Sequence, residues 1–265
     1  MLKVITMWGA IIGDLAGSIY EFDQVNETKP VKVKEIIEVD SFFSDDTILT
    51  IAILDAFLND RDYEKYLKKY ALEYLDYKPN HEPYFNRPFS PGFIKWAKGE
   101  KKGTSNGNGA MMRISSIGYL SNSEEELIDN VLKATTPSHN TNEAIEGATK
   151  VAKIIYLARK GLTKEQILQK LRIKLQHEQF ASFNMTCNTT INNCLYALFT
   201  SNSFEDAIKT VISYGGDTDT NACIVGSMAE ALYGIEPHLV EQATEKLPPS
   251  FVKKLTQGYS SINNS

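Results

Sequence analysis

Apolar residues recur at a helical period over most of this chain, and that recurrence limits its fold more than any other feature. Ile48, Ile51, Ala52, Leu54, Phe57 and Leu58 form one stripe, and Val151, Ile154, Ile155, Leu157 and Ala158 another. Ile191, Leu195, Leu198 and Phe199 make a third, and Ala222, Val225, Met228, Ala229, Ala231 and Leu232 a fourth. Residues three and four apart share a helix face, whereas a half-buried strand needs strict alternation. Alternation occurs only across Val31, Val33, Glu35, Ile37 and Val39, a stretch short enough to be an extended link. Between the stripes lie helix starts: Ser123 with Glu126, Thr163 with Gln166, and Ser203 with Glu205 and Asp206. Gly161 and Gly234 stand where helices should stop. The expected fold is all-α. No linker divides the chain, so one domain over residues 1–265 is expected.

Composition narrows the partners. Of 265 residues 42% are hydrophobic and 23% charged, which is globular rather than disordered. The net charge of −5 gives no positive field to draw the chain to nucleic acid or an anionic membrane. Cys187, Cys194 and Cys223 form no CxxC, as expected of free thiols in a reducing compartment. The apolar N-terminal run is interrupted by Asp14 and Glu21, so it reads as a partly buried first helix rather than a signal or a membrane span. A cytoplasmic monomer is expected.

Two segments concentrate carboxylates with hydroxyls: Ser44-Asp45-Asp46-Thr47 and Gly215-Gly216-Asp217-Thr218-Asp219-Thr220. Each precedes an apolar stripe and so begins a helix, where such side chains cap free N–H groups. A cap needs one acceptor, however, and each cluster offers two acids beside apolar neighbours, Phe42-Phe43 and Ile224-Val225. Acids drawn into such surroundings repel one another unless a cation neutralises them, and hard divalent ions take oxygen ligands. Asp45, Asp46, Asp217 and Asp219, with Ser44 and Thr220, are therefore candidate ligands for one or two such ions. Gly215-Gly216 would let the backbone turn so that Asp217 and Asp219 aim at one point.

Weaker signals accompany these. Asp14, Gly17 and Glu21 fall near one face of a first helix whose small residues Ala10, Gly13, Ala16 and Gly17 permit close packing. Asn106-Gly107-Asn108-Gly109 opens a helix and can present N–H groups to an anion, or be only a turn. His81, His139, His177 and His238 form no paired ligand motif, and His139 reads by itself as a solvated loop residue. The long break from Lys78 to Asn108 is either functional or a permissive insertion, with one short helix around Phe93 and Trp96. P-loop, dinucleotide and nucleophile-elbow motifs are absent.

Taken in order, GAIIGDLAGSIYEF, SDDT, SNGNGAMMR, TTPSHNTNEAIEGA and YGGDTDTNACIVGSMAEALYG resemble the ADP-ribosylglycohydrolase family, which includes the dinitrogenase-reductase-activating glycohydrolases. The resemblance runs from about Gly9 to Gly234, with Ser44 standing where the family commonly has Thr. It implies an all-α fold with two divalent cations, Mg²⁺ or Mn²⁺, in a cleft between helices. The implied ligands are Ser44, Asp45, Asp46, Asp217, Asp219 and Thr220. Glu21 matches the family's acid, and Ser105, Asn106, Gly107 and Asn108, with His139, match its substrate-contacting positions. The implied reaction is hydrolysis of the C1″ glycosidic bond of an ADP-ribosylated protein or small conjugate, with Glu21, Asp45 and Asp219 carrying the chemistry. Nucleic acid would enter only as a modified acceptor. Two other readings compete: a module that binds ADP-ribose without turnover, and a DxDxT phosphatase, for which Ser213-Tyr214-Gly215-Gly216 is a poor strand end.

Overall fold

The structure is a computed structural model that describes residues 6–78, 88–177 and 183–263. Helices α1 (Gly9–Gly17), α2 (Asp45–Leu58), α3 (Tyr63–Glu73) and α4 (Pro91–Ala97) come first. They are followed by α5 (Gly109–Met112), α6 (Ser115–Leu120), α7 (Glu124–Thr135), α8 (Asn142–Arg159) and α9 (Lys164–Lys170). The chain closes with α10 (Cys187–Thr200), α11 (Phe204–Ser213), α12 (Thr218–Tyr233), α13 (Pro237–Lys246) and α14 (Pro249–Asn263). Among the described residues there is no strand, only the isolated bridges Thr104–His139 and Gly107–Thr186. The fold is all-α, and the alternating stretch from Val31 to Val39 is the link its brevity suggested.

Capping chemistry sets many of the helix starts. Ser123, Thr163 and Ser203 each accept the N–H three residues on, and Thr163 with Gln166 completes a reciprocal capping box. Gly161 and Gly234 end their helices at φ 87° and 80°, where a side chain would be strained.

At the centre, α1 lies along α12. Gly9, Gly13 and Gly17 repeat every four residues and make one bare stripe on α1. A Cβ on Gly9 would collide with the carbonyl of Gly226, on Gly13 with that of Ala222, and on Gly17 with that of Thr218. The two helices therefore run antiparallel, backbone against backbone. All of α1 is buried, more than the partly buried helix expected, because α12 and the surrounding helices enclose it. Its start has no cap of its own. Glu230, buried in α12, instead accepts the N–H groups of Thr6, Met7 and Gly9. At the other end the Thr218 hydroxyl donates to the Gly17 carbonyl at 2.8 Å. Around this pair the apolar stripes form one buried cluster containing Ile48, Ile51, Val151, Ile155, Leu195, Leu198 and Val225. Full burial of each such side chain is worth about 1.5–3 kcal/mol.

Candidate active site

The antiparallel register brings the C-terminal end of α1 to the N-terminal end of α12, and the acids gather there. Asp14, one turn before the end of α1, turns its Oδ2 to the start of α2. It accepts the N–H of Ser44 at 2.9 Å, the N–H of Thr47 at 3.1 Å and the Thr47 hydroxyl at 2.5 Å. Ser44 caps α2 by accepting the Asp46 N–H, so the ordinary capping role holds there. Asp217 precedes α12 but makes no cap bond; its carboxylate takes the Asn108 amide at 2.6 Å instead. The two acidic segments are joined directly by the Thr220 hydroxyl, which donates to Asp46, 174 residues away in the chain, at 3.1 Å.

Consecutive left-handed glycines aim Asp217 and Asp219. Gly215 and Gly216 have φ values of 76° and 77°, and a Cβ on Gly215 would press into Lys29 and Gln24. The buried Gln24 fixes this turn, its Oε1 accepting the N–H groups of Lys29 and Gly216. Gln24 ends the 3-10 turn Glu21–Gln24, which Glu21 opens. Asp14 and Glu21 thus do not share a helix face as their spacing suggested, because α1 stops at Gly17; they reach the acids from separate elements.

The result is two groups of carboxylate oxygens, each with members within 4.8 Å of one another: Asp14, Asp46 and Asp219, and Glu21, Asp217 and Asp219. Asp219 belongs to both. Burial first, and the charge of Asp219 second, pushes Asp14 up to about 7. The same two causes, in the same order, raise Glu21, Asp45 and Asp46 well above ordinary carboxylates, and burial followed by the charge of Asp217 does so for Asp219. Asp217 is also raised by burial, though bonds from Asp219 and Asn108 oppose the rise. Asp14 Oδ1 and Asp46 Oδ1 are buried without a hydrogen-bond partner among the described residues. Orphaned oxygens beside mutually repelling acids are what a divalent cation with oxygen ligands satisfies, so this donor set fits the implied ions.

A cavity of about 390 Å³ opens over the acids. Glu21, Ser44, Asp45, Asp217, Asp219 and Thr220 line its floor, while Ser105, Gly107, Asn108 and His139 line its wall. Asp46 lies below, bonded to Ser44 and Thr220. Asn106 faces an adjoining pocket and reaches Glu143 at 3.4 Å. The expected anion cradle at this loop differs in one respect. The N–H of Gly107 goes to the Ser105 hydroxyl and that of Asn108 to the Met185 carbonyl, so both are used in fixing the turn.

His139 is not the solvated loop residue that its own surroundings in sequence suggested. It is buried at 6% exposure beside Arg113, and burial followed by the Arg113 charge holds its pKa well below the ordinary imidazole value. The break from Lys78 to Asn108 contributes Pro88, Phe89, Ser90 and Phe93 to the cavity, with α4 carrying Phe93 and Trp96 as expected. That part of the segment is wall rather than permissive insertion; residues 79–87, His81 among them, lie outside the described residues. Asp14, Gln24, Arg113 and Ser138 also shape the site. The GDxxG spacing points to Asp14; Arg113 and Ser138 lie inside the SNGNGAMMR and TTPSHNTNEAIEGA stretches without a chemical cue of their own, and Gln24 lies in no motif.

The fold and site define an all-α protein with a cavity floored by clustered carboxylates contributed from both ends of its chain. A family model described as ADP-ribosylglycohydrolase matches residues 4–263, and the chain belongs to that family of hydrolases. It is similar to ADP-ribosylarginine hydrolase Tri1 of Pseudomonas putida (strain GB-1), with 26% identity over 180 residues. That match covers 61% of this chain but only 45% of the relative, so the chain aligns with less than half of that protein's length. Its fold is similar to that of a solved structure described as an ADP-ribosylglycohydrolase-related protein complex. The TM-score is 0.71, at 17% identity, over 98% of this chain and 94% of that one. Among the described residues no helix is long and apolar enough to cross a membrane.

Proposed function

We propose that this protein is a metal-dependent hydrolase that releases ADP-ribose from a modified protein side chain or a small ADP-ribose conjugate by cleaving the C1″ glycosidic bond. The observation that carries the reading is the convergence of Asp14, Asp46 and Asp219, and of Glu21, Asp217 and Asp219, into two carboxylate groups sharing Asp219 beneath one cavity. Ser44, Asp45, Asp46, Asp217, Asp219 and Thr220 would hold two Mg²⁺ or Mn²⁺ ions. Bound there, the ions would supply Lewis-acid charge and a template for the ribose hydroxyls.

The remaining roles belong to the chain. Glu21, lining the cavity among the other acids and raised well above an ordinary carboxylate, is suited to hold and return a proton at its carboxyl oxygen. Asn108 holds Asp217 in place through its 2.6 Å bond. Ser105, Gly107 and His139 form the wall along which a diphosphate would lie, with Asn106 just beyond. Phe89 and Phe93 give the cavity an apolar lining beside the acids.

The test compares ADP-ribosyl-arginine, ADP-ribosyl-serine and p-nitrophenyl phosphate, each with Mg²⁺ or with EDTA. The Pseudomonas putida relative bears the name of an arginine-linkage hydrolase, so that conjugate comes first. The expected result is free ADP-ribose from at least one conjugate, abolished by EDTA and by Asp219→Ala. Glu21→Ala should lower turnover by about 10²–10⁴ while leaving ADP-ribose binding largely intact. Tight binding of ADP-ribose with no turnover of any conjugate would replace the hydrolase by a binding module, and phosphate release alone would replace it by a phosphatase.

A further inference from the structure

His139 is held on one side by a group that can only donate, Arg113, and by the Ser138 hydroxyl, which can donate or accept. Its Nδ1 lies 2.8 Å from the Ser138 hydroxyl and 3.5 Å from Arg113 Nη2. Arg113 Nη2 also donates to Ser138 Oγ at 2.6 Å and points to the Ala134 carbonyl at 3.4 Å. A guanidinium has donors only. Ser138 Oγ must therefore accept from Arg113, which leaves its one hydrogen for Nδ1. A hydrogen on Nδ1 would instead point at the Arg113 Nη2–H groups, donor against donor, and protonating both ring nitrogens would add a second positive charge beside a buried cation. Nδ1 is thus the acceptor, and the ring hydrogen resides on Nε2.

Nε2 points the other way. A Cβ built on Gly109 would lie 3.5 Å from it and one on Gly107 3.9 Å, so it faces the turn that forms the cavity wall with His139. The backbone on either side is pinned as well: the His139 N–H donates to Thr135 at 2.9 Å, and His139 bridges to Thr104. Arg113 directly follows α5, is fully buried, and uses neither Nε nor Nη1 in any hydrogen bond among the described residues. Its contact with Phe93, whose ring centroid is 5.8 Å away, packs it behind the histidine.

We propose that Arg113, acting through Ser138, is a positioning residue that fixes His139 in the neutral Nε2–H tautomer, as a permanent hydrogen-bond donor to a phosphate oxygen in the cavity. The ligand in this statement rests on the proposed function; the tautomer does not. In a neutral imidazole free of such partners both tautomers exchange, and only one of them offers a donor on this side.

The experiment reads the two parts separately on the full chain. Nitrogen-15 shifts of the His139 ring, assigned by their loss in His139→Gln, report the tautomer at pH 7 without ligand. Titration with ADP-ribose in Mg²⁺ reports binding. The wild type should show Nε2–H alone. Arg113→Met and Ser138→Ala should each give a mixture of tautomers and bind ADP-ribose more weakly by the inverse of the fraction left as Nε2–H, about twofold for an even mixture. Arg113→Lys, which keeps donor and charge, should return both readings toward wild type. Ser138→Ala decides the matter if Arg113→Met does not fold. An unchanged tautomer in the folded variants would overturn the proposal, as would a wild-type ring protonated on Nδ1. Loss of ADP-ribose binding with the tautomer intact would also overturn it, making Arg113 a direct ligand contact. A tautomer that shifts as expected in a protein with no affinity for ADP-ribose would uphold the positioning role and remove the proposed substrate.

Discussion

Stripped of divalent cations, the wild-type protein should lose stability relative to Asp14→Asn as pH rises, and Asp14 sets the size of the effect. Its carboxyl is pushed from 3.8 to about 7, by burial first and by Asp219 second. A group whose folded pKa lies above its unfolded value keeps its proton in the native state after the unfolded chain has released it. Between the two values the native state binds more protons, so stability falls with rising pH. The stabilisation is whole below pH 3.8 and gone once pH has passed about 7. A gap of about three units, at about 1.4 kcal/mol each, amounts to something on the order of 4 kcal/mol. For a chain of this size that is a melting-temperature difference of roughly 10 °C.

Other groups titrate in the same range, which is why the variant is the reference. His139, held below its ordinary value, works in the opposite sense: the stability it contributes is lost as pH falls through the imidazole range. Comparing wild type with Asp14→Asn at each pH cancels that contribution, and the asparagine oxygen can still accept the bonds from Ser44 and Thr47. The assay is thermal unfolding by circular dichroism between pH 5 and 8, in EDTA and again with excess Mg²⁺. In EDTA the variant should gain on the wild type across this range by most of that amount. In Mg²⁺ the fall in wild-type stability should shrink, since a cation replaces the proton as the neutralising charge. A wild type that gains on Asp14→Asn as pH rises in EDTA, or a fall that Mg²⁺ leaves untouched, would refute the reasoning.

Two further outcomes follow from the same geometry. Asp219→Asn removes the carboxylate charge common to both groups, so it should abolish the Mg²⁺-induced rise in melting temperature while raising stability in EDTA, since the amide oxygen can still accept the Thr220 N–H and the buried repulsion is gone. Gly13→Val should lower stability by about 3 kcal/mol or more, because even a Cβ at Gly13 meets the Ala222 backbone. The control is Gly92→Ala, which meets nothing closer than the end of Lys101 and should change the melting temperature little.

Much of this architecture can be read from residues, for a local reason. Helix periodicity and capping depend on neighbours a few positions apart, so Ser123, Thr163 and Ser203 mark their helices correctly without any knowledge of the fold. The acids could be named for the same reason: two carboxylates beside a hydroxyl and an apolar stripe exceed what a cap requires. What local chemistry does not carry is who stands behind them. Arg113 follows two methionines as any helix-ending arginine might, and Gln24 sits in an unremarkable polar stretch, yet each is fully or almost fully buried and fixes a loop of the site. The polar neighbours of His139 in sequence do not show its burial, which comes from Arg113 and the 104–109 loop, both remote in the chain.

The meeting of the two acidic segments is a different kind of problem, and the sequence holds more of its answer than it first offers. Gly9, Gly13 and Gly17 repeat every four residues, and so do Thr218, Ala222 and Gly226. Laid antiparallel, the first series matches the second pair by pair, Gly9 on Gly226, Gly13 on Ala222 and Gly17 on Thr218, with no side chain larger than threonine at any crossing. A shift of one turn in either direction would leave one glycine of α1 unmatched, opposite Glu230 at one end or beyond the start of α12 at Thr218 at the other. It would also slide Asp14 about 5.4 Å along α12, far enough to remove it from the carboxylates of Asp46 and Asp219, which now lie within 4.8 Å. Small residues at helical spacing are thus more than packing filler here: they set the register that assembles the acids, and the acids in turn give that register its chemical use.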